Sequence, residues 1–149
     1  MATTTKINFH KAAQRHFDDA ELLLEHQRRA NAGHLYGFAA ECGIKAFLVF
    51  RGLIETDTDG DIPNKRHNLR VHAGQLNQMI NTMISLSDGR LTSQLLALIP
   101  NISDFNNWKV EHRYHDESKL PLTSINQWQI AAKQVMIMLE QANIDGVIQ

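Results

Sequence analysis

An all-α bundle is the fold this sequence predicts, and three observations predict it. Apolar residues recur at spacings of three and four, no run sustains the alternation a strand needs, and short polar breaks separate the periodic runs. The runs amount to about five helices, packed up and down as antiparallel neighbours in one domain over residues 1–149.

The first helix is expected from Ile7 to Arg29, with Phe9, Ala13, Phe17, Ala20 and Leu24 on one face and Asn31-Ala32-Gly33 as its break. A second is expected from about Leu35 to Phe50, carrying Leu35, Ala39, Cys42, Ala46 and Val49 on one face. Its small residues Gly37, Ala39, Ala40 and Gly43 would let another helix approach closely. Gly52 and the run Asp57 to Asn64 form a polar loop. The third helix is expected from Leu69 to Leu86, stopped by Ser87-Asp88-Gly89, and a shorter one from Leu91 to Ile99, ended by Pro100. Ile102 to His112 reads as a further helical stretch, with Phe105 and Trp108 apolar. Pro121 closes the loop after it, and Ser124-Ile125-Asn126-Gln127 has capping-box form at the start of a last helix through Trp128, Ala132, Val135, Leu139 and Ala142.

Composition narrows the function classes. Hydrophobic residues at 43% and charged residues at 21% describe an ordinary globular chain. A formal net charge of −1 argues against a general nucleic-acid coat protein, which must neutralise many phosphates at once, but leaves room for a local basic patch. One cysteine, Cys42, excludes an internal disulfide and fits a reducing compartment; it falls on an inward face, as a small core residue. With no apolar leader and no run of membrane-spanning length, a soluble cytoplasmic protein without a membrane partner is expected.

Most chemical motifs are absent or incomplete. Asp57-Thr58-Asp59-Gly60-Asp61 looks like a calcium loop, but Ile62 stands where that loop needs glycine and Asn68 where it needs a bidentate glutamate. His112 and His115, flanked by Glu111 and Asp116, offer too few ligands for a metal site, and His72 falls near an apolar face. Neither a metal nor a cofactor is expected. Lys65-Arg66-His67-Asn68-Leu69-Arg70 is the densest basic run and precedes a helix, where exposed amides attract anions. No nucleophile elbow, P-loop or dinucleotide fingerprint occurs.

The informative residues are Trp108-Lys109-Val110-Glu111-His112-Arg113-Tyr114-His115, read with Glu41-Cys42-Gly43-Ile44-Lys45. Glu41 and Lys45 stand in the favourable i,i+4 order and are expected to face inward as a pair. Arg113 has Lys109 at i−4, so its anionic partner must come from elsewhere: a ligand, or a structural bridge to Glu41 or Asp116. Trp108, at helical spacing from Phe105, is more often core than a stacking platform.

These stretches resemble the HEPN domains (higher eukaryotes and prokaryotes nucleotide-binding). The resemblance rests on Phe38-Ala39-Ala40-Glu41-Cys42-Gly43-Ile44-Lys45-Ala46, on His67-Asn68-Leu69, and on Trp108 to Tyr114. The family usually shows Ala-x-Glu-x-x-Leu-Lys-Ala, His-Asp-Leu and Arg-Tyr-Pro there; this chain has Ile44, Asn68 and His115 in place of Leu, Asp and Pro.

What the resemblance implies is a bundle of about five helices, often a symmetric homodimer, that binds nucleotide or RNA within a toxin–antitoxin or defence system, with a nucleotidyltransferase-type protein as cognate partner. The small residues of the second helix would serve the dimer. Ligand contacts would fall to Arg113, Tyr114, Lys109 and His67, with Glu41 and Lys45 fixing their geometry. A metal-independent endoribonuclease is the alternative, since relatives resemble one another in an Arg-x(4–6)-His motif. Arg66 with His72, Arg28 or Arg29 with His34, and His112 beside Arg113 are its candidates here. A protein-interaction bundle with no ligand is the third reading.

Overall fold

The computed structural model describes residues 6–52, 56–61, 94 and 97–144, and within them there is no strand. Three long helices carry this part of the chain: α1 (Phe9–Glu25), α2 (Arg29–Phe50) and α3 (Ile125–Ile144). The expected helix Leu69–Leu86, the basic run with Arg66 and His67, and His72 lie outside the described residues. Gln94, Ala97 and Leu98 are helical, in keeping with a short helix that stops before Pro100.

Asn8 caps α1, its side chain accepting the Lys11 amide at 3.0 Å. The expected end at Arg29 is four residues too late. The chain leaves α1 through Gln27, whose φ of 61° is left-handed, while the Gln27 and Arg28 amides donate back to Leu24 and Leu23. That is a Schellman ending with glutamine where glycine is usual, so no glycine marked it. α2 then begins at Arg29, six residues before the expected start. Gly33 does not break the chain; it lies inside α2, and a Cβ there would come within 2.9 Å of the Trp128 ring.

α2 is the central helix. From Ala39 to Leu48 all its residues but Cys42 are buried, as befits a helix covered on several sides. α1 packs on one flank, antiparallel to it. α3 packs on another and runs in the same direction, with Gly33 against Ile125 and Trp128 and Gly43 against Val135. The small residues expected to serve a dimer are therefore spent inside the subunit. A Cβ on Gly37 would run into the Trp108 ring, and one on Gly43 would lie 2.5 Å from Val135 Cγ1.

The stretch expected as one helix from Ile102 to His112 is two 3-10 turns, Ile102–Asn107 and Val110–Tyr114. Trp108 and Lys109 between them are extended. The break drives Trp108 into the core, where it is 1% exposed and its Nε1–H donates to the Gly33 carbonyl at 3.1 Å. Trp128 Nε1–H is shared between Asp104 O and Asn107 Oδ1, both at 3.0 Å. The Ser124 hydroxyl accepts from Asn107 Nδ2 at 2.8 Å, which ties the start of α3 to the first 3-10 turn. Further 3-10 turns at Glu117–Lys119 and Leu122–Ser124 complete the connection. The acidic loop closes on itself, Asp57 Oδ1 accepting the Asp59 and Asp61 amides at 2.9 and 3.0 Å. Among the described residues no helix is long and apolar enough to cross a membrane.

Candidate anion-binding cleft

The N-terminal turns of α2 and α3 end side by side, and the segment from His112 to Leu122 folds over them. Between them is a cleft of about 140 Å³, comparable to the cavities of roughly 150 Å³ that admit one aromatic ring. Arg113, His112 and His115 come from the 3-10 segment and its end, Asn31 and His34 from α2, Ile125 and Trp128 from α3. Leu120, Pro121 and Leu122 give an apolar wall, held across the start of α2 by Arg29 Nη2–H donating to Leu122 O at 2.9 Å.

Electrostatics favour an anion here. Two helix N-termini border the cleft with the positive ends of their dipoles, although the Ile125 amide at the start of α3 already donates to Leu122 O. No side chain caps the first turn of α2. Arg113 is exposed and forms no ion pair among the described residues; its guanidinium lies over the Tyr114 ring at 4.9 Å. Neither structural bridge offered by the sequence is made. Asp116 turns its carboxylate to the Ser118 amide at 3.1 Å, and Glu41 is elsewhere. Among the described residues Glu117 is the one carboxylate on the cleft wall.

The rings are ordered in pairs. His34 stacks on Trp108 at 5.1 Å and meets the edge of Phe38 at 4.8 Å. His112 stacks on Trp128 at 6.2 Å and meets His115 edge-on at 5.4 Å. His112 Nδ1 accepts the Lys109 amide at 3.3 Å, so its neutral form carries the proton on Nε2. Burial lowers the His112 pKa below the ordinary 6.5, and His115 and Lys109 push the same way, against Glu111. This imidazole is neutral at pH 7.

The other expected site residues are placed differently. Tyr114 is 77% exposed and supports the underside of Arg113, and Lys109 is exposed beyond the lining. Glu41 and Lys45 lie seven and eleven residues along α2 from His34, about 10 and 16 Å at 1.5 Å per residue. They form a buried pair at 3.3 Å, with the ammonium 5.7 Å from the Phe9 ring. The pair thus faces inward as expected but belongs to the α1–α2 core, not to Arg113. Cys42 beside it is a core residue, its thiol pKa pushed up to about 11 chiefly by burial. His67, Arg66 and His72 lie outside the described residues. Asn31 and Trp128 are not expected in a site from sequence, and His34 is expected only as a partner of Arg28 or Arg29 in the ribonuclease reading. Their signal was the pair of helix starts, visible once α2 is known to begin at Arg29.

Among the described residues no three His, Cys, Asp or Glu side chains converge to hold a metal ion. Compared with protein-family models, curated proteins and solved structures, the chain matches none.

Proposed function

We propose that this cleft binds a nucleotide or a segment of RNA, with Arg113 on a phosphate and a base among the rings of His34, His112 and Trp128. The observation that carries the reading is Arg113, a guanidinium without an ion-pair partner among the described residues, beside two helix N-termini. Arginine presents a planar fork that fits phosphate oxygens. In the same reading the chain works as a HEPN-type module of a toxin–antitoxin or defence system, beside a nucleotidyltransferase-type partner.

The test is the affinity of the parent, Arg113→Lys and Arg113→Ala for nucleoside monophosphates and short single-stranded RNA, at two salt concentrations. Charge-assisted hydrogen bonds contribute about 1.5–3 kcal/mol, so Arg113→Ala is expected to weaken binding by roughly 10- to 150-fold. Arg113→Lys should keep the melting temperature and still lose most of the affinity. If the substitutions lower stability while neither parent nor variants bind, Arg113 is structural and the reading fails.

Neutral His112 beside Arg113 also favours a second reading, metal-independent RNA cleavage. Because Nε2 already carries a proton, His112 would have to give up the Lys109 amide at Nδ1 and accept the 2′-OH proton there as the 2′-oxygen bonds phosphorus. Arg113 would hold the phosphorane charge, and a protonated His115 or His34 would supply the proton to the departing 5′-oxygen. The products would be a 2′,3′-cyclic phosphate and a 5′-hydroxyl. Incubation with RNA in chelator tests it: His112→Ala should abolish cleavage, and intact RNA with the parent rejects this reading while leaving binding open.

A further inference from the structure

Glu117 is out of keeping with the rest of the cleft. Arg113 and the helix N-termini draw an anion, and a carboxylate on the same wall repels one. Paired with Arg113, Glu117 would be a structural brace, but among the described residues the only ion pair is Glu41–Lys45. Asp116, between them in sequence, spends its carboxylate on the Ser118 amide at 3.1 Å. The cleft therefore offers two opposite charges, carried by successive 3-10 turns, that do not neutralise each other. An ionised carboxylate only accepts hydrogen bonds, and it holds two oxygens side by side. A ligand that satisfies both charges has an anionic group at one end and two adjacent donors at the other.

We infer that the cleft selects guanine, with Glu117 accepting N1–H and the 2-amino group of the base while Arg113 holds the phosphate. The inference rests on the nucleotide reading of the cleft and adds the base to it. Of the four RNA bases only guanine presents two adjacent donors on its pairing edge. Adenine and cytosine set a ring acceptor beside one amino donor, and uracil sets one N–H between two carbonyls. Each of these meets the second carboxylate oxygen with a lone pair. The pairing edge is open only in an unpaired base, so the target is a free nucleotide or a single strand. A cleft of about 140 Å³ leaves room for one base, with the phosphate outside it at the exposed Arg113. A good bidentate pair discriminates between bases by about 5- to 150-fold. Glu117 is exposed, and competition from water sets the preference near the lower end of that range, about tenfold.

Calorimetric titration of the full chain with GMP, IMP, AMP, CMP and UMP tests the selection. GMP should bind about tenfold tighter than AMP, with IMP between them, because it keeps N1–H and lacks the 2-amino group. Glu117→Gln replaces one acceptor by a donor, the pattern that fits adenine. It should keep the melting temperature, weaken GMP and strengthen AMP, so that the preference reverses. If Glu117 is only a repelling charge, Glu117→Gln tightens all five nucleotides alike, and the inference is overturned. Arg113-dependent binding of all five with one affinity also overturns it and leaves the nucleotide reading standing. A parent that binds none of the five ends both.

Discussion

Glutamine in place of Glu41 removes a buried counter-charge while keeping the shape of the side chain. The Glu41 and Lys45 side chains are 9% and 10% exposed and 3.3 Å apart. An exposed pair of this kind is worth about 0.2–1 kcal/mol, whereas removing one partner of a buried pair costs about 3–5 kcal/mol because the other charge stays desolvated. The Phe9 ring, 5.7 Å from the ammonium, is present in parent and variant alike and leaves the difference unchanged, while the residual 9–10% exposure lets water reach the ammonium that is left. The expected loss is therefore near the lower end, about 3 kcal/mol. For a domain of this size each kcal/mol moves the melting point by roughly 2–4 °C, so Glu41→Gln should melt about 6–12 °C below the parent. Urea and thermal unfolding of Glu41→Gln, Lys45→Met and the double variant Glu41→Met/Lys45→Met measure this. The double variant should lie within about 1 kcal/mol of the parent, because a well-packed apolar pair substitutes for a buried ionic one at little cost. A loss under about 1 kcal/mol for Glu41→Gln would refute the placement of the pair in the core.

Gly37→Ala should destabilise by about 1–3 kcal/mol and alter the near-UV spectrum, because its Cβ meets the Trp108 ring. A gain in stability, which helix propensity alone would give, contradicts that packing. Gln27→Gly should stabilise by about 0.5–1 kcal/mol in urea melts, the relief of a left-handed glutamine exceeding the entropy glycine adds. No gain would reject the Schellman ending. His16 and His112 are both held below 6.5, chiefly by burial, so below that pH the unfolded chain binds more protons. Their contribution to stability is complete above pH 6.5 and falls as the solution is acidified. Unfolding at pH 7.5 and 5.5 should show this fall, and the double variant His16→Gln/His112→Gln should flatten it.

The helical class was legible because the apolar positions of α1 and α3 keep a spacing that only a helix turns onto one face. Ala13 and Ala20, and Trp128, Val135 and Leu139, are buried as that spacing requires. The boundaries around Gln27 were not legible. A left-handed glutamine leaves no sequence mark, and Gly33 carries the mark of a break while serving a close contact with Trp128. The same ambiguity misdirected the small residues of α2 toward a dimer, since a glycine row looks alike whether a partner or the subunit's own tryptophan fills it. In the site, Arg113 and His112 were visible as charged groups in a short run. Asn31, and the placing of His34 with Arg113 rather than with Arg28 or Arg29, enter only through the fold, which brings the start of α2 against a segment nearly eighty residues away. Glu41 and Lys45 were read correctly as facing inward but assigned to Arg113, because nothing in a one-dimensional pattern tells which core a buried pair occupies.

The most direct test of the cleft is a titration of isotopically labelled protein with a nucleoside monophosphate and with a short single-stranded RNA, followed by NMR. The chain has two indole N–H signals, from Trp108 in the core and Trp128 on the cleft wall. The cleft reading predicts that Trp128, the His112 and His34 rings and the Arg113 side chain shift together and saturably, with the Lys45 region unmoved and the response lost in Arg113→Ala. No saturable shift at those four residues, or the same shifts in Arg113→Ala, would contradict it.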